Sequence, residues 1–269
     1  MVFFILNNKF ELIGIIEGHS DEIRCLTMTP DGSCIISGSS DRKIKVWDFE
    51  TGKVLQTFEG HSHSILDLLL TKNGKHIISC SIDKTIRVWD LETGKLLKIF
   101  EGHKGAVNSI CLTSDEKYII SGSRDNTLKV WDFKTGDLLR TIKADEEYGV
   151  DNINITPDGK CIISGSLDKT IKLWDLETGE LIDTLEGHKG LIYSIAITSN
   201  GKYIISAAKD KTVKLWDLET GNHINILEEN VSPLYNIAVA ISPNNKFIII
   251  AINSLIKIIS LSKINFEFK

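Results

Sequence analysis

GHKGAVNSICLTSDEKYIISGSRDNTLKVWDFKTGDLLRTIKA, residues 102–144, decides the fold, because it reads as four short apolar runs divided by turn residues. The runs are AVNSICLTS, KYIISGS, TLKVWDF and DLLRTIKA. Each is of strand length, and Ile, Val and Leu fall on both sides of the pleat, as in a sheet covered on each face. No helical period or cap survives in this stretch. Neighbouring copies sharpen the turns. Asp31-Gly32, Asn73-Gly74, Asp158-Gly159 and Asn200-Gly201 supply a first hairpin. Thr51-Gly52, Thr93-Gly94, Thr135-Gly136, Thr178-Gly179 and Thr220-Gly221 supply a last one, with glycine expected at positive φ.

Working outward, the pattern recurs. Trp47, Trp89, Trp131, Trp174 and Trp216 stand 42, 42, 43 and 42 residues apart, each followed by Asp. Six residues before each Trp lies Asp41, Asp83, Asp125, Asp168 or Asp210. In four units a Gly-His lies 22 residues before that Asp, giving His19, His61, His103 and His188. A sixth copy keeps the apolar pattern but has Asn253 for the turn Asp and Ile259 for the Trp.

This GH…WD unit resembles the WD-repeat (beta-transducin-like) family over roughly residues 10 to 261. The resemblance implies an all-β propeller of four-stranded antiparallel blades around a channel. Six blades are expected, with the N-terminal strand ELIGII (11–16) closing the last blade by pairing the two chain ends. The alternative is seven with an incomplete blade. VFFIL (2–6) lies where a preceding third strand would stand, and KINFEF (263–268) could be a further outer strand. A single domain, 1–269, is expected, with units at about 17–58, 59–100, 101–143, 144–185, 186–227 and 228–269.

The resemblance also implies a buried hydrogen-bonded tetrad in each blade. The four complete sets are His19, Ser37, Asp41, Trp47; His61, Ser79, Asp83, Trp89; His103, Ser121, Asp125, Trp131; and His188, Ser206, Asp210, Trp216. The fourth unit has Glu146 in place of the His and keeps Ser164, Asp168 and Trp174; the sixth keeps no member. Repetition itself argues against catalysis. A reaction needs one asymmetric constellation, whereas equal copies serve something every blade needs.

Composition narrows the class further. Hydrophobic residues at 42% and charged residues at 25% fit a globular chain and exclude a disordered one. A net charge of -5 gives no general attraction to nucleic acid or anionic membrane, so neither is an expected partner. Cys25, Cys34, Cys80, Cys111 and Cys161 are odd in number and without CxxC spacing, which reads as reduced, buried thiols and a cytoplasmic, intracellular setting. MVFFILNNKFEL lacks a basic n-region, and no run is long enough for a membrane helix.

Function is expected where the units differ, since such positions are released from the scaffold. Five residues after each His position stand Arg24, Leu66, Asn108, Asp151 and Tyr193, and just before each turn Asp stand Ser40, Ile82, Arg124, Leu167 and Lys209. These mixed apolar and charged sets suit a protein- or peptide-binding face. The loops that lost Gly-His turned acidic, at Asp145, Glu146, Glu147 and at Glu228, Glu229, which suits a basic partner segment. The expectation is therefore a non-catalytic interaction scaffold, monomeric within a larger complex, with no cofactor and no metal. His61 and His63 form an HxH, but His61 already belongs to a tetrad and no further ligand follows in register. Cys25, Asp67, Ser109, Asn152 and Ser194 share one register position, where Asp67 places a carboxylate at a blade interface. The competing readings are a small-ligand or catalytic site in the channel, for which Asp151 with Arg24 is the out-of-register polar pair, and a sensor module of a larger signalling protein.

Overall fold

The computed structural model describes residues 3–6, 12–144, 149–228, 237–242, 245–252 and 255–260, and among them every regular element is a strand. Five sheets have four antiparallel strands in chain order. They are β3(Ile23–Met28) to β6(Val54–Phe58) through β4(Cys34–Ser39) and β5(Ile44–Asp48); β7(Ile65–Leu70), β8(His76–Ser81), β9(Ile86–Asp90) and β10(Leu96–Phe100); β11(Val107–Leu112), β12(Tyr118–Ser123), β13(Thr127–Asp132) and β14(Leu138–Lys143). The fourth and fifth are β15(Val150–Ile155), β16(Cys161–Ser166), β17(Ile171–Asp175) and β18(Leu181–Leu185), then β19(Ile192–Ile197), β20(Tyr203–Ala208), β21(Val213–Asp217) and β22(His223–Glu228). A sixth sheet has three described strands, β23(Ile237–Ile241), β24(Phe247–Ile252) and β25(Leu255–Ser260).

At the N-terminus β2(Leu12–Ile16) pairs antiparallel with β1(Phe3–Leu6), Phe3 opposite Ile16, as a two-stranded sheet that the sequence pattern did not announce. A short connection brings β1 onto β2 at little loop-closure entropy. The KINFEF segment and Asn253 lie outside the described residues.

The turns follow local chemistry. In the last hairpin of the first blade the Asp48 carboxylate accepts from Thr51 N–H and Thr51 Oγ, both 2.7 Å, and Gly52 follows at φ 66°. Asp90 and Thr93 repeat the geometry. This explains why Asp follows each Trp: it folds the turn onto the next strand. The turn between the second and third strands was not foreseen. There Arg42, Lys84, Asn126, Lys169 and Lys211 adopt φ between 68° and 75°, a left-handed conformation costing an L-residue roughly 1 kcal/mol. Only Asn126 among them is a residue type that tolerates it well.

The chain divides into two compact units, Met1–Ile110 with Thr135–Asp137, and Cys111–Lys134 with Leu138–Lys269. In the first, Ile36, Ile44, Val46 and Phe58 of one sheet pack against Ile65, Leu68, Ile77 and Trp89 of the next. In the second, Trp174 packs on the sheet containing Ile120 and Val130, and Trp216 on the sheet containing Ile163 and Leu173. Trp89, Trp174 and Trp216 therefore fill the seam with the preceding sheet, and the core lies between sheets. Approach is close: a Cβ on Gly38 would meet Cys25 Sγ at 2.6 Å and Ile65 Cγ2 at 2.7 Å. Second and third strands are buried on both sides, as expected, but the fourth strands expose Leu55, Leu97, Leu139 and Ile182, because as sheet edges they have no covering neighbour.

Candidate functional site

The recurring polar residues converge because of strand register. Ser37 lies opposite Lys45, and Trp47 two residues on lies opposite Ile35, so serine, indole and the residue at position 45 share one face. Trp47 Nε1 donates to Ser37 Oγ at 2.7 Å, Ser37 Oγ meets His19 Nε2 at 2.7 Å, and His19 Nδ1 meets Asp41 Oδ2 at 2.8 Å. In the second blade the same three distances are 2.9, 2.9 and 2.7 Å, and in the fifth 2.7, 2.7 and 2.8 Å. The third blade has Trp131 Nε1 donating to Ser121 Oγ at 2.8 Å, and His103 is buried.

Hydrogen-bond direction sets the protonation state. The indole N–H occupies the serine oxygen, so the serine O–H donates to Nε2 and Nδ1–H donates to the carboxylate, which makes the imidazole neutral. Burial, outweighing the pull of the carboxylate, holds His19, His61 and His188 below the ordinary imidazole range. Burial also works to raise Asp41, but hydrogen bonds from His19, Ser20 N–H and Lys43 N–H keep it below the ordinary carboxylate range. The tetrad carboxylate thus ties the loop before the first strand to the turn after the second. Each bond contributes on the order of 1 kcal/mol, and a buried partner left unpaired costs roughly 1 to 3.

The fourth blade solves the loss of its histidine differently. Lys172 Nζ lies 2.6 Å from Asp168 Oδ2 and donates to Ala144 O at 3.2 Å, while Trp174 Nε1 still donates to Ser164 Oγ at 2.8 Å. Sequence reading passed over Lys172. Its signal was a basic residue two before every Trp, namely Lys45, Arg87, Lys129, Lys172 and Lys214. Glu146, with Asp145, Glu147 and Glu229, lies outside the described residues.

The variable residues gather at the same end of each blade. Ser40 N bonds Glu22 O at 2.7 Å, Ile82 N bonds Ser64 O at 3.0 Å and Lys209 N bonds Leu191 O at 2.7 Å, joining the turn after the second strand to the entry of the first. The register of the first strand shifts between Ile23 and Cys25, Ile65 and Asp67, Val150 and Asn152, and Ile192 and Ser194. Arg24, Leu66, Asp151 and Tyr193 are therefore the extra residues of β-bulges, whose side chains are re-aimed out of the ladder. Arg24, Arg124 and Lys209 are exposed; Leu66, Asn108, Asp151, Tyr193, Ile82 and Leu167 are half-buried. Arg24 Nε donates to Ser40 Oγ at 2.9 Å and its Nη2 lies 2.9 Å from Glu22 Oε2. Burial pushes the Asp151 carboxyl up while the charge of Arg124 opposes it.

Asp67 belongs to a second, inner series. Its Oδ2 accepts from Ser109 Oγ and Ile110 N–H, both at 3.0 Å, on the next first strand. Asn152 Oδ1 accepts from Ile195 N–H at 3.1 Å and Ser194 Oγ from Val239 N–H at 3.1 Å. The series brackets neighbouring blades, and burial without a cation raises the Asp67 carboxyl to about 6. Among the described residues no group of His, Cys, Asp and Glu is placed to hold a metal ion.

Comparison with known proteins agrees with this geometry. The model of WD40 (WD domain, G-beta repeat) matches residues 10–48, 52–90, 94–132, 136–175 and 179–217. The chain is similar to the Nuclear distribution protein PAC1 of Candida tropicalis, 46% identical over 52 residues, 18% of this chain and 11% of that protein. It is also similar to the Ribosome biogenesis protein BOP1 of Homo sapiens, 37% identical over 43 residues, 16% of this chain and 6% of that protein. The similar segments thus span at most 11% of these relatives' length. With repeats matched over more than half of its residues, the chain belongs to the WD40 family, and its sheets are blades of the all-β propeller fold.

Proposed function

We propose that this chain is a protein-interaction scaffold that binds partner proteins or peptides through the bulge-bearing ends of its blades and along its rim, and that it is not an enzyme. The observation that carries the reading is the register shift that turns Arg24, Leu66, Asp151 and Tyr193 out of their ladders. These side chains differ from blade to blade, while the serine, turn aspartate and indole beneath them recur in all five blades. Asn108, Ile82, Arg124, Leu167 and Lys209 complete the surface. The relatives bear names of nuclear distribution and ribosome biogenesis, and an assembly role for this chain is in keeping with them. A monomer within a larger complex, in the cytoplasm, fits the five free thiols.

Partner charge has two supports of opposite sign. The acidic residues Asp145, Glu146, Glu147, Glu228 and Glu229 favour basic segments, whereas the exposed cations Arg24, Arg124 and Lys209 favour acidic ones. Affinity capture with mass spectrometry, using the whole chain and versions carrying Leu66→Ala, Asp151→Ala or Tyr193→Ala, tests the scaffold reading. A partner set captured by the parent chain and lost from the altered chains at unchanged stability is expected. Equal capture by all of them removes these residues from the interface.

A further inference from the structure

In the second unit the bracket bonds Asn152–Ile195 and Ser194–Val239 run between equivalent positions of successive blades, so their tetrad ends face the same way. At that end Arg124, Lys169, Lys189, Lys209 and Lys211 are all exposed. The carboxylates there are engaged: Asp168 by Lys172, Asp210 by His188 and Thr212, Asp125 by Thr127, and Asp151 by the charge of Arg124. Glu186 is the exposed carboxylate described beside them. None of the four lysine ammoniums takes a hydrogen bond or ion pair among the described residues.

Backbone conformation is an independent observation. Lys169 and Lys211 sit at φ 75° and 68°, where local preference selects Gly or Asn. Nothing in the blade requires lysine there, since their amides bond Ser166 O and Ala208 O through the backbone alone. Strain retained for an exposed charge points to use of that charge.

We propose that the tetrad end of the second unit captures an acidic peptide segment, its carboxylates met by Arg124, Lys169, Lys189, Lys209 and Lys211. The inference rests on the scaffold reading and names the chemistry of one partner. A peptide is favoured over nucleic acid because the chain as a whole carries a net charge of -5, which repels a long polyanion while leaving a short acidic segment free to use the local field.

The test is fluorescence anisotropy with the whole chain and three labelled probes, a glutamate-rich decapeptide, a lysine-rich decapeptide and a short oligothymidylate. The acidic peptide is expected to bind, with affinity falling as salt is raised. Lys169→Gly with Lys211→Gly is expected to weaken it on the order of tenfold while the thermal midpoint holds or rises, because glycine also relieves the turns. Lys209→Glu weakens it in the same sense. Absence of acidic-peptide binding, indifference to the lysine substitutions, tighter binding of the lysine-rich peptide, or oligothymidylate binding with the same losses each overturns the inference. The scaffold reading is scored separately, by partner capture with Leu66 and Tyr193 altered, so either can fail without the other.

Discussion

At the scale of single residues the imidazole of His61 is the informative group. It is buried, neutral and hydrogen-bonded on both nitrogens, so protonating it breaks its acceptor role toward Ser79. His19, His61 and His188 are each held below their unfolded value near 6.5, so they bind fewer protons folded than unfolded as pH falls through that value. Thermal midpoints are therefore expected to fall as pH drops from 7.5 toward 5.5. Asp67 works the other way. Its carboxyl is raised to about 6, so between about 4 and 6 the folded chain binds the extra proton and gains stability on acidification. Asp67→Asn removes that compensation, and calorimetry of the variant is expected to show a steeper loss from pH 7 to pH 5 than the parent chain. A shallower loss contradicts the assignment. Asp67 was legible in sequence because it breaks a series of small uncharged residues; Lys172 was not, because basic residues occur at its position in every unit and only one replaces a histidine.

At the scale of elements, two contrasts separate strand and turn contributions. Trp131 is 1% exposed and donates to Ser121, whereas Ile259, in β25 of the sixth sheet, is half-buried. Trp131→Ala is expected to cost roughly 3 to 5 kcal/mol and Ile259→Ala less than about 2 in chemical denaturation. Equal losses count against the brace account. Lys211→Gly, at φ 68°, is expected to be neutral or stabilising by up to about 1 kcal/mol, opposite in sign to most surface-to-glycine changes. The strands and hairpins were readable from periodicity and DG, NG or TG turns. The bulges were not, because the first, second, fourth and fifth blades carry the same extra residue, and a uniform insertion leaves no break in the repeat. The left-handed turns escaped for a related reason: Arg and Lys carry no local signal for positive φ, which the Asp side chain imposes by accepting from the amide two residues on, as Asp41 does from Lys43.

At the scale of the molecule the repeat length and the GH…WD register were enough to read the family, since a spacing error of one residue would have scattered the tetrads. Pairing of the N-terminal strand was not readable. ELIGII has the apolar content to pair with either chain end, and its pairing with Phe3–Leu6 depends on connection length rather than on pattern. The candidate surface was half readable: its positions follow from where the units differ, while its projection depends on bulges seen only in the ladder. Separation of labour between brace and surface is the central claim, and its most direct test is partner capture per folded molecule for two neighbouring substitutions, His188→Gln and Tyr193→Ala. The account expects the first chain to melt earlier yet capture partners normally well below its midpoint, and the second to melt normally yet lose capture. Full capture by the Tyr193 variant, with capture abolished in a folded His188 variant, would contradict it.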